Sequence, residues 1–118
     1  MNETPTKDNN IAAETLIGKK VATAMLLDAY GVLLTERQQQ CLSLFYEEDL
    51  SLSEIGAAFA ISRQAVHDAI RHGEALLREY ERQLHLVEKE NHRQEVVKKL
   101  RAVIGDQPEA AALLEQLL

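Results

Sequence analysis

Residues 51–71 constrain the fold of this chain most, because they contain two short helical patterns separated by a turn. In the first pattern, Ile55, Ala58 and Phe59 are spaced three and four positions apart, which predicts one buried face of a short helix. Ser53 is predicted as the N-cap of this helix, because its hydroxyl can accept a hydrogen bond from a first-turn amide.

The second pattern follows after the turn. Ile61 is predicted to lie in the turn with its side chain in the shared core, and Ser62 is predicted to cap the next helix. The small residues at positions 56–58 would let the two helices approach closely. A core face at helical spacing is formed by Val66, Ile70, Gly73 and Leu77. Together these features predict a helix-turn-helix, and in the DNA-binding versions of this motif the second helix enters the major groove.

The opposite side of the second helix is polar. At about 100° per residue, this side carries Gln64, His67, Asp68, Arg71 and Arg78, with Arg63 flanking it. Arginine can pair bidentately with guanine and glutamine with adenine, so this side suits base edges and phosphates. The same pattern also fits an ordinary amphipathic helix pair with a solvated outer face, and the pattern alone leaves both interpretations open.

A further helix is predicted before the motif. Thr35 has the position of an N-cap and Gln38 follows three residues later, which is a capping box. The apolar side of this helix would be formed by Cys41, Leu42, Leu44 and Phe45. Because Cys41 is the one cysteine of the chain, an intramolecular disulfide is excluded, and we expect a reduced, buried residue.

Several short motifs occur here in order. Leu-Thr-x-Arg-Gln from Leu34 is followed by an acidic link, then by Ser-x-x-Glu-Ile from Ser51 and Ile-Ser-Arg-Gln-Ala-Val from Ile61. This series resembles the C-terminal promoter-reading domain of bacterial sigma factors. With Phe45-Tyr46 and Tyr80-Glu81-x-x-Leu84 added, it resembles still more closely the YlxM-type family of small bacterial helix-turn-helix proteins, over roughly residues 21–101.

The resemblance implies an all-α, sigma-like helix-turn-helix without a wing, which contacts duplex DNA through the second helix of the motif. Carried over position by position, the DNA-binding residues would be Arg37, Gln38, Ser62, Arg63, Gln64, His67 and Arg71. Arg37 and Gln38 would hold the phosphate backbone. The YlxM-type family is also linked to the signal recognition particle pathway, which implies components of that particle as partners.

The helix that begins at Ser62 is predicted to run well past the motif. A coiled-coil seam continues along it through Val66, Ile70, Gly73, Leu77, Tyr80, Leu84 and Val87, with Asn91 at the next position. The pattern shifts to another face afterwards, on Val96, Val97, Leu100, Val103 and Ile104, which predicts a bend or break near Asn91. The seam can pack on the first helix of its own chain or on a second copy, and its length favours a homodimer.

The domain organisation follows from these patterns. Residues 1–11 are predicted to be a disordered tail, residues 12–104 the helix-turn-helix domain, and residues 105–118 a helical tail. The first helix is predicted from Ala12 to about Tyr30 and to end at Gly31. Its predicted core positions are Leu16, Ile17, Val21, Met25 and either Leu26 or Leu27. Pro108 is predicted at the start of a last helix, from Glu109 to Leu118, with an apolar side formed by Leu113, Leu114, Leu117 and Leu118.

Charge argues against strong DNA binding, because the formal net charge is −6 and phosphate neutralisation supplies most of the affinity of DNA-binding proteins. The alternative is a protein- or RNA-interaction module of the signal recognition particle pathway that keeps the fold without sequence-specific DNA binding.

Catalytic signals are weak. The sequence has no Gly-rich phosphate loop and no serine elbow, and its histidines lack metal-ligand spacing. We therefore expect no enzymatic activity, no cofactor and no metal. No stretch is long enough to span a bilayer and no run resembles a signal peptide, so a cytoplasmic protein without membrane contact is predicted.

Overall fold

The computed structural model describes residues 20–118, and every regular element among them is helical. The described part of α1 covers residues 20–30 and continues into a single 3₁₀ turn, Gly31–Leu33. The other helices are α2 (Glu36–Tyr46), α3 (Leu52–Phe59), α4 (Arg63–Leu84), α5 (Leu86–Ile104) and α6 (Pro108–Glu115). The all-α fold class is confirmed. The predicted disordered tail, the predicted start of α1 at Ala12, and the positions of Leu16 and Ile17 lie outside the described residues.

Helix α1 buries a different stripe from the predicted one. Its buried residues are Thr23, Leu27 and Tyr30, whereas Val21 and Met25 are exposed. The prediction of Leu27 is confirmed and those of Val21 and Met25 are wrong, because the side of the helix that carries Thr23, Leu27 and Tyr30 faces the core instead. The α-helical hydrogen-bonding pattern ends at Tyr30, directly before Gly31, as predicted.

The core of the first part of the chain is the crossing of α2 and α4, with α3 packed beside them. Cys41 and Leu42 are fully buried on α2, as predicted, and burial raises the pKa of the Cys41 thiol. Helix α4 contributes its predicted core face, because Val66, Ile70, Gly73 and Leu77 are all buried. Gly73 marks the point of closest approach, since a Cβ there would lie 2.6 Å from Leu42 Cδ1.

The long helix breaks earlier than predicted. Helix α4 ends at Leu84, and His85 adopts a left-handed conformation with φ of 56° before α5 begins. The prediction of a break near Asn91 is therefore wrong, because Asn91 lies inside α5. Histidine is among the residues that enter this conformation more often than most. The chain divides into two compact units at this junction, after Leu84, so the predicted boundary at residue 104 falls within the second unit.

The N-terminal half of the predicted seam is used within its own chain. Its first four residues pack in the core formed with α2 and α3. Tyr80 reaches α1, where its ring lies 5.9 Å from that of Tyr30, and Tyr30 donates a 2.5 Å hydrogen bond to Glu81. This part of the seam therefore packs within its own chain, against α1, α2 and α3.

The second unit is an α5–α6 hairpin that turns at Gly105, which has φ of +62°. Pro108 occupies the first turn of α6, as predicted, but α6 ends at Glu115 rather than Leu118. Val97 and Leu114 are buried, and Arg101 pairs with Glu115 at 2.9 Å. The other predicted apolar positions are largely exposed, among them Val96, Leu100, Val103, Leu113, Leu117 and Leu118.

Candidate nucleic-acid interface

The first helix of the motif, α3, is capped by Ser51. The Ser51 hydroxyl accepts a 3.1 Å hydrogen bond from the Glu54 amide, and the Ser51 amide donates a 2.8 Å bond to the Glu54 carboxylate. The bond from the Ser51 amide to the carboxylate, and secondarily the Ser51 hydroxyl, hold the pKa of Glu54 below its usual range. The predicted cap, Ser53, is wrong, because Ser51 has a glutamate three residues later, whereas Ser53 has Gly56, which has no side chain to close the box.

Replacement of the two serines should separate these assignments. Ser51→Ala is expected to lower the free energy of unfolding by about 0.5–2 kcal/mol, because the first-turn amides of α3 lose their acceptor. Ser53→Ala is the matched control and should change it by less than about 0.5 kcal/mol, since Ser53 is an exposed residue within α3. Urea denaturation of both variants measures the difference, and a larger effect at Ser53 would contradict the assigned cap.

The turn between α3 and α4 packs directly on Gly56. The Gly56 carbonyl accepts a 2.9 Å hydrogen bond from the Ile61 amide, and a Cβ on Gly56 would lie 2.8 Å from the Ile61 carbonyl oxygen. Ala60 ends α3 in the left-handed conformation, with φ of 56°. Gly56 thus provides the predicted close approach of the two helices. Ala58, predicted on the buried face with Ile55 and Phe59, is exposed, which corrects that assignment.

Helix α4 begins as predicted. The Ser62 hydroxyl accepts a 3.0 Å hydrogen bond from the Ala65 amide. Val66 and Ile70 then fix the buried face of the helix against α2 and α3. Because one side of α4 is buried, its opposite side is presented to solvent from the first turn onward.

The solvent side of the first turns of α4 is called the reading face here, and it consists of Arg63, Gln64, His67, Asp68 and Arg71. All are exposed except His67, which is half-buried. Gln64 Nε2 donates a 2.9 Å hydrogen bond to Asp68 Oδ1, whereas His67 Nδ1 lies 3.8 Å from the same oxygen and has no hydrogen-bond partner. The structure therefore brings the predicted α4 residues to one surface, and Asp68 is part of it.

The arginines of the first unit differ in their partners. Within the part of the chain that the structure describes, Arg63 and Arg71 make no ion pair or hydrogen bond, whereas Arg82, near the end of α4, pairs with Glu79 at 2.5 Å. An unpaired guanidinium at the surface keeps all its donors for a ligand. The reading face thus carries two cations without an ion-pair partner among the described residues, beside the one carboxylate of Asp68.

The two predicted residues of α2 have structural contacts. The Arg37 guanidinium lies 4.6 Å above the ring of Phe59, the last residue of α3. Gln38 completes the capping box with Thr35, because its Oε1 accepts a 3.1 Å bond from the Thr35 amide. Arg37 is exposed and Gln38 is half-buried. The capping box predicted from the sequence is confirmed, and the side-chain NH₂ of Gln38 is not part of it.

Sequence reasoning missed a buried polar pair behind the motif. Glu74 is buried on α4, and its carboxylate accepts a hydrogen bond from the Tyr46 hydroxyl of α2. Burial raises the pKa of Tyr46, the bond to Glu74 raises it further, and nearby Arg78 partly offsets the effect. The available signal was the position of Glu74 on the core face, four residues after Ile70 and three residues before Leu77.

Comparison with known proteins gives consistent matches. Residues 17–117 match a family model described as "Putative helix-turn-helix protein, YlxM / p13 like". A UPF0122 protein of Halalkalibacterium halodurans is 42% identical over 105 residues, covering 86% of this chain and 96% of the relative. UPF0122 proteins of Bacillus cereus strain AH187 and Bacillus anthracis strain A0248 are each 40% identical over 103 residues, covering 87% of this chain and 94% of each relative. Among the described residues, no helix has the length and apolar character needed to cross a membrane.

Proposed function

Because the chain belongs to the UPF0122 family of helix-turn-helix proteins, we propose that it is a non-catalytic regulatory protein that binds duplex DNA through α4, in the cytoplasm where bacterial DNA lies. The observation that carries this proposal is the pair of exposed, unpaired arginines on the reading face, Arg63 and Arg71. At 1.5 Å per residue they are about 12 Å apart along α4, so they can contact two separate points along a helix that lies in the major groove.

The contacts on the reading face suggest how roles are divided. Arg63 and Arg71 are suited to guanine edges or phosphates, as planar donors with no competing partner. The bond from Gln64 to Asp68 holds the glutamine amide in place and leaves its oxygen free to accept from adenine. Asp68 would be repelled by phosphate but can accept from the amino group of cytosine. His67 lies at the centre of the face, and because its Nδ1 is buried, a base contact would use the exposed part of its ring.

Backbone contacts are proposed for the residues around the turn and on α2. The Ser62 hydroxyl accepts the capping bond from Ala65, which leaves its own proton to donate to a phosphate oxygen. The Gln38 NH₂ remains outside the capping box, and Arg37 is exposed above Phe59. Such phosphate contacts fix orientation without reading sequence.

The experiment is selection from a pool of random duplex DNA at low and then at physiological salt. The wild-type protein should enrich a motif, and Arg63→Ala/Arg71→Ala should lose it. Each bidentate base contact that is removed should weaken the free energy of binding to the preferred site by about 1–3 kcal/mol. Lys98→Ala/Lys99→Ala on α5 is the matched control, because it removes the same charge from exposed residues and should preserve the motif. If both double variants lose DNA binding equally, the interaction is non-specific electrostatic attraction. If the wild-type protein does not bind DNA at all, the proposal is overturned.

We also propose that the protein acts as a homodimer through the exposed apolar side of α5. Val96, Leu100 and Val103 recur there at positions i, i+4 and i+7, so they lie on one face. A two-fold dimer would present two reading faces to a palindromic site. Sedimentation equilibrium should then show a concentration-dependent dimer that Leu100→Glu converts to a monomer, and a monomeric wild type would exclude it.

A second candidate function is a protein-interaction role in the signal recognition particle pathway. The observation that favours it is the set of exposed leucines at the end of the chain, Leu113, Leu117 and Leu118, together with the net charge of −6. Binding to components of that particle should then be lost in Leu113→Ser/Leu117→Ser and retained in Arg63→Ala/Arg71→Ala. The reverse pattern would eliminate this candidate.

A further inference from the structure

The first unit carries an open groove on α1 and α2 that the reading face does not use. Its volume is about 600 Å³, which lies within the range of about 300–1,000 Å³ that is usual for ligand sites. Apolar side chains from four successive elements line it, namely Leu27 of α1, Val32 of the 3₁₀ turn, Leu44 of α2 and Phe59 at the end of α3. Leu27 forms the buried part of the wall, and Val32 stands at the rim with 81% of its surface exposed.

The polar lining of this apolar groove is acidic. Asp28 of α1 and Glu47 at the end of α2 contribute carboxylates, and no cation is found among the described residues that line it. The Ser43 hydroxyl donates a 2.6 Å hydrogen bond to Glu47, which holds this carboxylate in place. Arg37 does not line the groove, and its guanidinium lies 4.6 Å from the centre of the Phe59 ring. The groove therefore combines an apolar wall with unneutralised negative charge at its edge.

We propose that the groove docks an amphipathic, basic peptide segment of a protein partner, with apolar side chains against Val32, Leu44 and Phe59 and a lysine or arginine beside Asp28 and Glu47. An amphipathic helix meets such a groove with residues three and four apart. The charge at the edge excludes acidic segments, since like charges there are repulsive. This surface is distinct from the reading face of α4, but it adjoins the proposed DNA-backbone contact at Arg37, whose guanidinium lies on the ring of Phe59.

The test is a fluorescence-polarisation titration of the full chain with a labelled 14-residue helical peptide of leucine and lysine, beside a peptide in which glutamate replaces lysine. The leucine–lysine peptide should bind at least tenfold more tightly than the leucine–glutamate peptide. Val32→Ser should weaken its binding at least fivefold. Val21→Ser is the matched control and should leave binding unchanged, because Val21 is also an exposed valine of the first unit, at 57%, but does not line the groove.

The electrostatic part needs a control of equal charge, because a basic peptide is attracted to any protein of net charge −6. Asp28→Asn/Glu47→Gln should weaken binding at least tenfold, whereas Glu95→Gln/Asp106→Asn in the second unit should weaken it less than twofold. Thermal unfolding by circular dichroism confirms that each variant is folded. Equal loss in the two double variants, or no effect of Val32→Ser, would overturn the proposal. If the affinity for the peptide falls as the protein concentration rises, a second copy of the chain competes with the peptide for the groove. This outcome would also overturn the proposal.

Discussion

Leu42→Ala is expected to lower the free energy of unfolding of the first unit by about 2–5 kcal/mol. Leu42 is fully buried where α2 crosses α4, and the residue opposite it is Gly73, which has no side chain that can move into the space. The cost therefore includes both the lost burial of the isobutyl group and the cavity left behind. Chemical denaturation followed by circular dichroism measures it. Leu33→Ala is the matched control, because Leu33 is 54% exposed in the same unit and should change stability by less than about 0.5 kcal/mol.

A double-mutant cycle with Gly73→Ala tests the reason for this effect. In the wild-type background a Cβ at Gly73 lies 2.6 Å from Leu42 Cδ1, so the substitution forces a buried side chain to move. In the Leu42→Ala background the same methyl group enters the vacated space, and alanine is better than glycine in a helix by about 1 kcal/mol. The double variant should therefore be more stable than the sum of the single effects predicts. Additive effects would contradict the close approach at this crossing.

Gly56→Ala is expected to lower the free energy of unfolding by about 1–3 kcal/mol, the usual cost of overpacking. In an exposed helix this change would instead stabilise the protein by about 1 kcal/mol. The difference arises because the new Cβ would lie 2.8 Å from the Ile61 carbonyl oxygen. This atom belongs to the backbone of the turn, which cannot rotate away as a side-chain end can. Relief requires α3 and α4 to separate, so the DNA affinity proposed for α4 should fall as well.

The control for this prediction is Ala58→Gly in the same helix. Ala58 is exposed, so its replacement should cost about 1 kcal/mol through helix propensity alone and should not change the DNA affinity of the folded protein. The DNA affinities of Gly56→Ala and Ala58→Gly are compared at a temperature where both proteins are fully folded, so that a difference in affinity cannot arise from unfolding. A Gly56→Ala protein that is more stable than the wild type would show that the turn does not pack on Gly56.

The sequence by itself determined the features that depend on neighbours along the chain. The capping box of Thr35 and Gln38 was predicted because both hydrogen bonds join residues within one helical turn. The core face of α4 was predicted for the same reason, since four buried residues at regular spacing define a side of a helix without reference to its partner. The cap of α3 was also encoded locally, in Ser51 and Glu54, although the prediction chose the wrong serine.

Only the tertiary structure decided which side of each helix meets another helix. Helix α1 offers overlapping apolar stripes, and its contact with α2 selects Thr23 and Leu27 rather than Val21 and Met25. Burial of Glu74 depends on Tyr46, which lies 28 positions away in the sequence. The apolar groove likewise requires side chains from α1, α2 and α3 in one place. Hydrogen bonds and periodicity within a turn are local, whereas burial depends on partner surfaces that are distant in the sequence and are brought together only by folding.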